Sequence, residues 1–144
     1  ELNSILIDFN NIKITINKSN IFFNDPLTNA NTLYFEIKKT KKIFELQKKI
    51  AERLVNYDKN ILIPNNIINN HLFLKSFKKF GYPFIGNHWI PHFTVSSIKS
   101  KERSKFIKKF LDININYTFN LKEIGCWEYK NETHTEIGHC ILNE

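Results

Sequence analysis

Alternating apolar and polar positions mark the first part of the chain as rich in strands. Residues 12–16 read Ile-Lys-Ile-Thr-Ile, the two-residue period of a half-buried strand, and the apolar run 21–23 follows after a polar turn. These two runs predict a hairpin. After an Asn-rich loop at 25–31, the aromatic and branched residues of 33–37 predict another strand. Residues 1–9 fit either a helix end or a short strand, and we favour the helix.

Helical spacing of apolar residues appears in three later segments. Thr40 can cap a helix over residues 41–57, where apolar positions are three and four apart and lysines occupy the outer face. We interpret these lysines as a solvated helix face in preference to a nucleic-acid-binding stripe. Residues 72–80 predict a short helix or part of a lid. Ser100 can cap a third helix over residues 101–111.

The rest of the chain adds a strand at 92–98 and a tail that alternates again. We expect this tail to close as an antiparallel meander, with turns near Gly125 and Lys130-Asn131. Its strands are residues 117–121, 124–129 and 137–142. The order of strands, helix, strand, helix and strands predicts an α+β fold.

Composition bounds the size and the location of the protein. A chain of 144 residues, 42% of them hydrophobic, suffices for one domain with a core. No apolar run approaches the roughly 20 residues that span a bilayer, and Cys126 and Cys140 are too few for a disulfide framework. We therefore expect a cytoplasmic protein without membrane contact, and a monomer by default. The formal net charge of +7 would suit a polyanionic partner, but the excess lysines are spread along the chain and decide little.

The strand that begins at His92 carries the candidate chemistry. Because side chains alternate along a strand, His92, Thr94 and Ser96 are predicted to share one face. The apolar residues between them, Phe93 and Val95, are predicted to face the core. An imidazole and a hydroxyl two residues apart lie about 7 Å from each other along a strand, so both can touch one phosphate. The simpler alternative is a hydrogen-bonded structural histidine.

Residues 89–95, Trp-Ile-Pro-His-Phe-Thr-Val, resemble the second His-x-Thr motif of the two-histidine phosphoesterases. That superfamily includes bacterial 2′-5′ RNA ligase-like proteins and cyclic nucleotide phosphodiesterases. The order of elements over residues 1–144 is similar to the family's order after its first motif. The resemblance implies a two-lobed α+β fold of antiparallel sheets with flanking helices. In that single domain, residues 1–85 hold the rest of the first lobe and a helix, and residues 86–144 hold the motif strand, a helix and the meander.

The resemblance also implies a reaction. Family members are phosphodiesterases that need no metal ion and no cofactor, and they act on RNA ends or cyclic nucleotides by 2′,3′-cyclic phosphate hydrolysis or 2′-5′ ligation. One histidine acts as general base, another as general acid, and the two hydroxyls bind the phosphate. His92 and Thr94 match one such pair, and the acid or base role of His92 stays open. Imidazole, with an ordinary pKa of about 6.5, can serve in either role.

A second His-x-Ser/Thr motif does not occur in this sequence. None of the other four histidines is followed two positions later by Ser or Thr, and the chain starts at Glu1 and contains no methionine. We expect the first motif to lie upstream of Glu1. The alternative is a catalytically degenerate RNA- or nucleotide-binding module of the same fold, and an upstream motif would favour the enzyme.

Two other groups of residues suggest sites with less support. Zinc ligand types occur together near the C-terminus, but no Cys-x-x-Cys pair is present, and adjacent strand residues point to opposite faces, so we expect no metal site. Aromatic residues before the motif could stack on a base or border a cleft, although packing is the simpler interpretation. The first group is Cys126, His134, His139 and Cys140, and the second is Tyr82, Phe84, His88 and Trp89.

Overall fold

The computed structural model describes residues 4, 6, 9–25, 28–55, 68–102, 104–130 and 133–142. Within these residues the fold is α+β, as the order of elements predicts, with a four-stranded antiparallel sheet, a two-stranded sheet and three helices. In this part of the chain no helix has both the length and the apolar character needed to cross a membrane.

The strands and helices follow the predicted order with several changed boundaries. The strands are β1 (Lys13–Asp25), β2 (Ala30–Ile37), β3 (His92–Ile98), β4 (Tyr117–Asn120), β5 (Glu123–Lys130) and β6 (Thr133–Ile141). The helices are α1 (Lys41–Leu54), α2 (His71–Phe80) and α3 (Lys105–Leu111). Of the predicted N-terminal helix, Ser4 and Leu6 are helical and most other positions lie outside the described residues. The predicted end of the first helix and the irregular stretch after it fall largely in residues 56–67, which also lie outside them.

The chain divides into two compact units, each built from separate segments. The first unit takes Glu1–Ile12, Thr40–Trp89 and Asn120–Glu144, and the second takes Lys13–Lys39 and Ile90–Phe119. Each unit therefore draws on residues from both sides of position 85. The larger sheet has the strand order β3-β2-β1-β4, and β5 and β6 form a sheet of their own.

β1 runs straight through the predicted polar turn, so the prediction of a hairpin within this segment is wrong. Residues 18–22 pair in register with residues 32–36 of β2. Ser19 is only 2% exposed, and its hydroxyl lies 3.1 Å from the carbonyl oxygen of Leu111 and 3.3 Å from that of Ile113. The polar side chain that suggested a turn therefore finds its acceptors inside the fold. The hairpin partner of β1 is β2, reached through the predicted loop.

The core of the second unit lies between one face of the larger sheet and α3. Ile21 of β1 and Leu33 of β2 form a buried cluster with Ile107 and Phe110 of α3. Phe35 packs against this cluster, with its ring centroid 5.5 Å from that of Phe110. The opposite face of the sheet carries both polar and aromatic residues.

α3 begins later than predicted, because a different serine caps it. The Ser104 hydroxyl accepts a hydrogen bond from the Ile107 amide at 3.3 Å. The predicted cap, Ser100, instead donates to the Ser104 hydroxyl at 3.0 Å. Ser100 thus supports the cap without forming it.

The helices of the first unit have clear caps. Thr40 caps α1 as predicted, accepting from the Ile43 amide at 3.3 Å. Asn70 caps α2 by accepting from two amides of its first turn. α2 ends at Gly81, whose φ of 72° lies in the left-handed region that glycine adopts readily. The segment predicted as a helix or a lid is therefore a capped helix.

The predicted meander at the C-terminus is wrong in its connections. β4 joins β1 in the larger sheet, where the Thr15 and Thr118 hydroxyl oxygens lie 2.9 Å apart although the residues are 103 positions apart. Among the described residues, β5 and β6 pair with each other and form a separate two-stranded sheet. Gly125 lies inside β5 and not at a turn. Long-range pairing decides the place of β4, which alternation alone does not show.

Candidate active site

β3 starts at the predicted position. The Pro91 carbonyl accepts a hydrogen bond from the Ile37 amide at 2.9 Å, and the next residue, His92, pairs with Glu36. Proline has no N–H group, so it suits the first position of a paired segment. Pro91 therefore fixes where the pairing with β2 begins and makes His92 the first residue of β3.

The His92 ring is oriented by a backbone carbonyl. Its Nδ1 lies 2.7 Å from the carbonyl oxygen of Ile90, and because a carbonyl only accepts hydrogen bonds, Nδ1 carries the proton in this contact. In the neutral ring Nε2 is then the basic atom, and in the imidazolium Nε2–H is the acid. The side chain is exposed. Nε2 is thus the atom that can exchange a proton with a bound molecule.

Two aromatic rings pack against His92. Its ring meets those of Phe22 and Tyr34 edge-on, with centroids 5.2 and 5.1 Å away, and the two aromatic rings stack on each other at 4.1 Å. Tyr34 is only 2% exposed. Such contacts restrict how the imidazole can turn. They fix the plane of the ring while the hydrogen bond to Ile90 fixes its tautomer.

The structure places Thr94 on the same face as His92. Thr94 pairs with Tyr34, and His92 pairs with Glu36, two residues further along β2. Directly paired residues point to the same side of a sheet, so all four side chains share one face. We call this face of β1, β2 and β3 the His92 face. It lies opposite the face covered by α3.

A β-bulge at Val95 changes the second half of β3. Thr94 pairs with Tyr34 but Ser96 pairs with Leu33, so Val95 is the extra residue. Leu33 belongs to the buried cluster beneath α3, and Ser96 therefore lies on that side of the sheet. The prediction that Ser96 shares a face with His92 and Thr94 is wrong, because strict alternation cannot anticipate a bulge.

Ser97 occupies the position that was predicted for Ser96. It pairs with Thr32, and the two hydroxyl oxygens lie 3.0 Å apart. Thr32 donates its own proton to the Asp25 carboxylate at 2.6 Å, so Ser97 is the donor to Thr32. Sequence reasoning missed this chain of hydroxyls on the His92 face, and only the strand register reveals it.

The apolar residues of β3 are less buried than predicted. Phe93 pairs with Phe35 on the core side, and its ring centroid lies 6.2 Å from that of Phe119. Nevertheless Phe93 is 44% exposed and Val95 is 50% exposed. The reason is that β3 is an edge strand of the larger sheet.

The His92 face carries three rows of directly paired side chains across three strands. The register aligns one residue from each of β1, β2 and β3 in every row, at about 4.8 Å between strands. The rows are Lys18, Glu36 and His92; then Asn20, Tyr34 and Thr94; then Phe22, Thr32 and Ser97. A register shift after Ile16 leaves Asn17 unpaired and brings Lys18 opposite Glu36.

Glu36 was missed as a site residue. Its carboxylate Oε2 accepts a hydrogen bond from the Asn20 amide nitrogen at 3.0 Å. Burial, and then the negative charge of Glu36, raise the pKa of Tyr34 from 10.0 to about 12. The available signal was one acidic residue in an otherwise apolar and aromatic strand, but its partners on β1 and β3 could not be known from the sequence.

The aromatic candidates before the motif belong to the first unit and make packing contacts. His88 Nε2 lies 2.6 Å from the Pro83 carbonyl oxygen and 3.2 Å from the Ser76 hydroxyl. Its ring packs against Phe73 at 5.2 Å. These contacts fit the interpretation of His88 as a structural residue. The other three, Tyr82, Phe84 and Trp89, are exposed, half-buried and half-buried respectively.

The C-terminal cysteines and histidines lie along the β5–β6 hairpin. Cys126 pairs with Gly138, Cys140 is buried, and His139 Nδ1 lies 3.3 Å from the Glu136 carboxylate. Across the described ranges, no three His, Cys, Asp or Glu side chains are grouped so that they could hold a metal ion.

Comparison of the chain with protein-family models, with curated proteins and with solved structures finds no match. A function can therefore be proposed only from the geometry of the site and the resemblance of its motif.

Proposed function

We propose that the His92 face is an acid–base site for phosphodiester chemistry on RNA ends or cyclic nucleotides. The observation that carries this proposal is the hydrogen bond from His92 Nδ1 to the Ile90 carbonyl at 2.7 Å. It leaves Nε2 as the ring nitrogen that can exchange a proton with a ligand. The imidazole and the neighbouring hydroxyl then contact the phosphate directly, and no metal ion is needed.

The chemistry follows from the needs of a 2′,3′-cyclic phosphate. Hydrolysis needs a proton removed from the attacking water and a proton given to the departing ribose oxygen. The same attack on the cyclic phosphate by a ribose 5′-hydroxyl in place of water, with the 3′-oxygen departing, gives a 2′-5′ linkage. His92 Nε2 supplies one of these proton transfers. Thr94 donates its hydroxyl proton to a non-bridging phosphate oxygen and positions the phosphorus atom.

Turnover of an RNA oligonucleotide that ends in a 2′,3′-cyclic phosphate tests this proposal. His92→Asn keeps an N–H near the position of Nδ1 but removes Nε2, so kcat should fall by about 100-fold or more. Thr94→Val should mainly raise KM, and Thr94→Ser should restore it. His71→Asn, on an exposed histidine of α2, is the matched control. Full activity of His92→Asn would contradict the proposal.

The second candidate is a binding module of the same fold that has lost catalysis. The single His-x-Ser/Thr motif of this sequence favours it, since phosphodiester hydrolysis needs two proton-transfer groups. A wild-type protein that binds the oligonucleotide but leaves its cyclic phosphate intact would support this candidate. Turnover that depends on His92 would exclude it.

A further inference from the structure

Phosphodiester cleavage by proton transfer needs two groups, and the second can lie beside His92 in the same sheet. Within Lys13–Lys39 and Ile90–Phe119, His92 is the one imidazole in the sequence. The residue directly beside it on the neighbouring strand is Glu36. Cβ atoms of directly opposed residues lie about 4.5–5.5 Å apart, so a carboxylate and an imidazole are available to one phosphate.

We propose that Glu36 is the second acid–base group of this site and that Lys18 binds the phosphate beside it. The row Lys18, Glu36 and His92 then provides a cation, a base and an acid on adjacent strands. This inference rests on the proposed phosphodiester chemistry of His92. It assigns the partner of His92 to β2 of the same sheet. The family resemblance implies instead that the partner is a second histidine on another strand.

The surroundings of Glu36 suit a general base. Asn20 donates to Oε2 at 3.0 Å, which orients the carboxylate and leaves Oε1 for a water molecule. The charged form of Glu36 is the one whose field acts on Tyr34, where it adds to the effect of burial on the tyrosine pKa. Glu36 is half-buried and His92 is exposed, so a ligand can reach both.

Both side chains turn toward the middle row. Glu36 reaches Asn20, which belongs to that row, and the His92 ring lies against Tyr34, which belongs to it too. Thr94 completes the middle row on β3. Tyr34 is only 2% exposed, whereas His92 and Thr94 are exposed, so we place the phosphate at the β3 side of these two rows, beside the imidazole and the Thr94 hydroxyl and one strand from Glu36.

Lys18 owes its place to a bulge. The register shift at Asn17 puts Lys18, an exposed residue, opposite Glu36 and two strands from His92. Its ammonium group is a point charge on a flexible stem that can follow a phosphate through the reaction. A bulge beside a reactive group is a known way to re-aim a side chain.

The reaction step balances with these groups. The Glu36 carboxylate takes a proton from water as the water oxygen bonds to phosphorus. The bond from phosphorus to one ribose oxygen breaks, and that oxygen takes the proton from Nε2 of the His92 imidazolium. The product is a phosphomonoester with one free ribose hydroxyl. Transfer of a proton from Glu36 to His92 through solvent restores the starting state.

The pH profile of kcat/KM for a nucleoside 2′,3′-cyclic phosphate, measured with the full-length protein, tests the assignment. Glu36→Gln should lower kcat by about 100-fold or more and remove the acidic limb of the profile, while His92→Asn removes the alkaline limb. Added formate should partly restore activity to Glu36→Ala. Other charged or titratable groups on this face include Lys18 and Asp25 of β1 and Tyr34 of β2.

Glu102→Gln is the matched control for the carboxylate. Glu102 also lies in the second unit and also accepts from an asparagine amide, at 3.1 Å from Asn24, but it lies away from the row. Lys18→Gln should raise KM more than it lowers kcat, and Lys108→Gln on α3 should change neither. Unchanged melting temperatures would show that the variants fold.

Two outcomes separate this inference from the function on which it rests. If His92→Asn is inactive but Glu36→Gln keeps wild-type kcat and both limbs, the assignment of Glu36 is overturned and the role of His92 stands. If the wild-type protein shows no turnover, both proposals fall. Loss of the acidic limb in Glu36→Gln, with formate rescue of Glu36→Ala, supports the assignment.

Discussion

Tyr34 combines near-complete burial with a place in the middle of the His92 face. It stacks on Phe22, touches His92 edge-on and is 2% exposed. Burial first, and then the charge of Glu36, raise its pKa to about 12. The phenol therefore stays neutral at any physiological pH. Its ring supports the imidazole through the edge-on contact, and in the proposed reaction His92 and Glu36 transfer the protons.

This pKa predicts a loss of stability in alkaline solution. Below pH 10.0 Tyr34 is protonated in the folded and the unfolded chain, but between 10.0 and about 12 only the unfolded phenol gives up its proton. Unfolding then releases a proton, so the free energy of unfolding falls as the pH rises. Tyr34→Phe should remove this part of the pH dependence in urea unfolding, whereas Tyr117→Phe, at a residue 61% exposed, should leave it unchanged. Identical slopes for the wild type and Tyr34→Phe would refute the shift.

α3 holds the second unit together through one side of the helix. Ile107 is 1% exposed within the cluster that includes Ile21 and Leu33, while its neighbour Phe106 is 56% exposed. Ile107→Ala should lower the free energy of unfolding by about 2–5 kcal/mol, because it leaves a cavity. Phe106→Ala should lower it by less than about 1 kcal/mol. Denaturant unfolding of the two variants measures both values, and equal losses would show that α3 is not packed as described.

Elements that depend on contacts between nearby residues were predictable from the sequence. Elements that depend on partners far along the chain were not. Thr40 caps α1 through the amide of Ile43, three residues away, and the sequence predicts it correctly. Ser19 bonds to Leu111, which is 92 positions away, so its local pattern suggested a turn where the strand continues. The same reason explains β4, whose partner is the distant β1. Patterns of nearby residues carry no information about such partners.

The difference between nearby and distant partners also decides how much of the candidate site was predictable. His92 and Thr94 lie two residues apart, so their common face follows from strand alternation alone. Lys18 and Glu36 reach them only through two strand registers, one of which includes a bulge. A second bulge exchanges Ser96 for Ser97. The motif was therefore visible in the sequence, and the rest of the face was not.

The net charge of the whole molecule predicts a difference between short and long substrates. The formal charge is +7, and a field of this kind acts over about 10 Å at 0.1 M salt. A cyclic mononucleotide presents one phosphate and meets only the charges of the His92 face. An RNA oligonucleotide extends past that face, so its other phosphates meet lysines elsewhere on the protein and release counterions there.

Consequently kcat/KM should fall more steeply with salt for a decanucleotide that ends in a 2′,3′-cyclic phosphate than for the mononucleotide. Each additional phosphate contact adds about 0.7 to the slope of log affinity against log salt for a single strand. Neutralising Lys108 and Lys109, which are exposed on α3, should make the slope shallower for the oligonucleotide if α3 supplies such contacts, and should leave the mononucleotide slope unchanged. Equal slopes for the two substrates would mean that recognition is confined to the terminal phosphate. The natural substrate would then be a small cyclic nucleotide, because a protein that gains nothing from further phosphates has no electrostatic reason to prefer an RNA end.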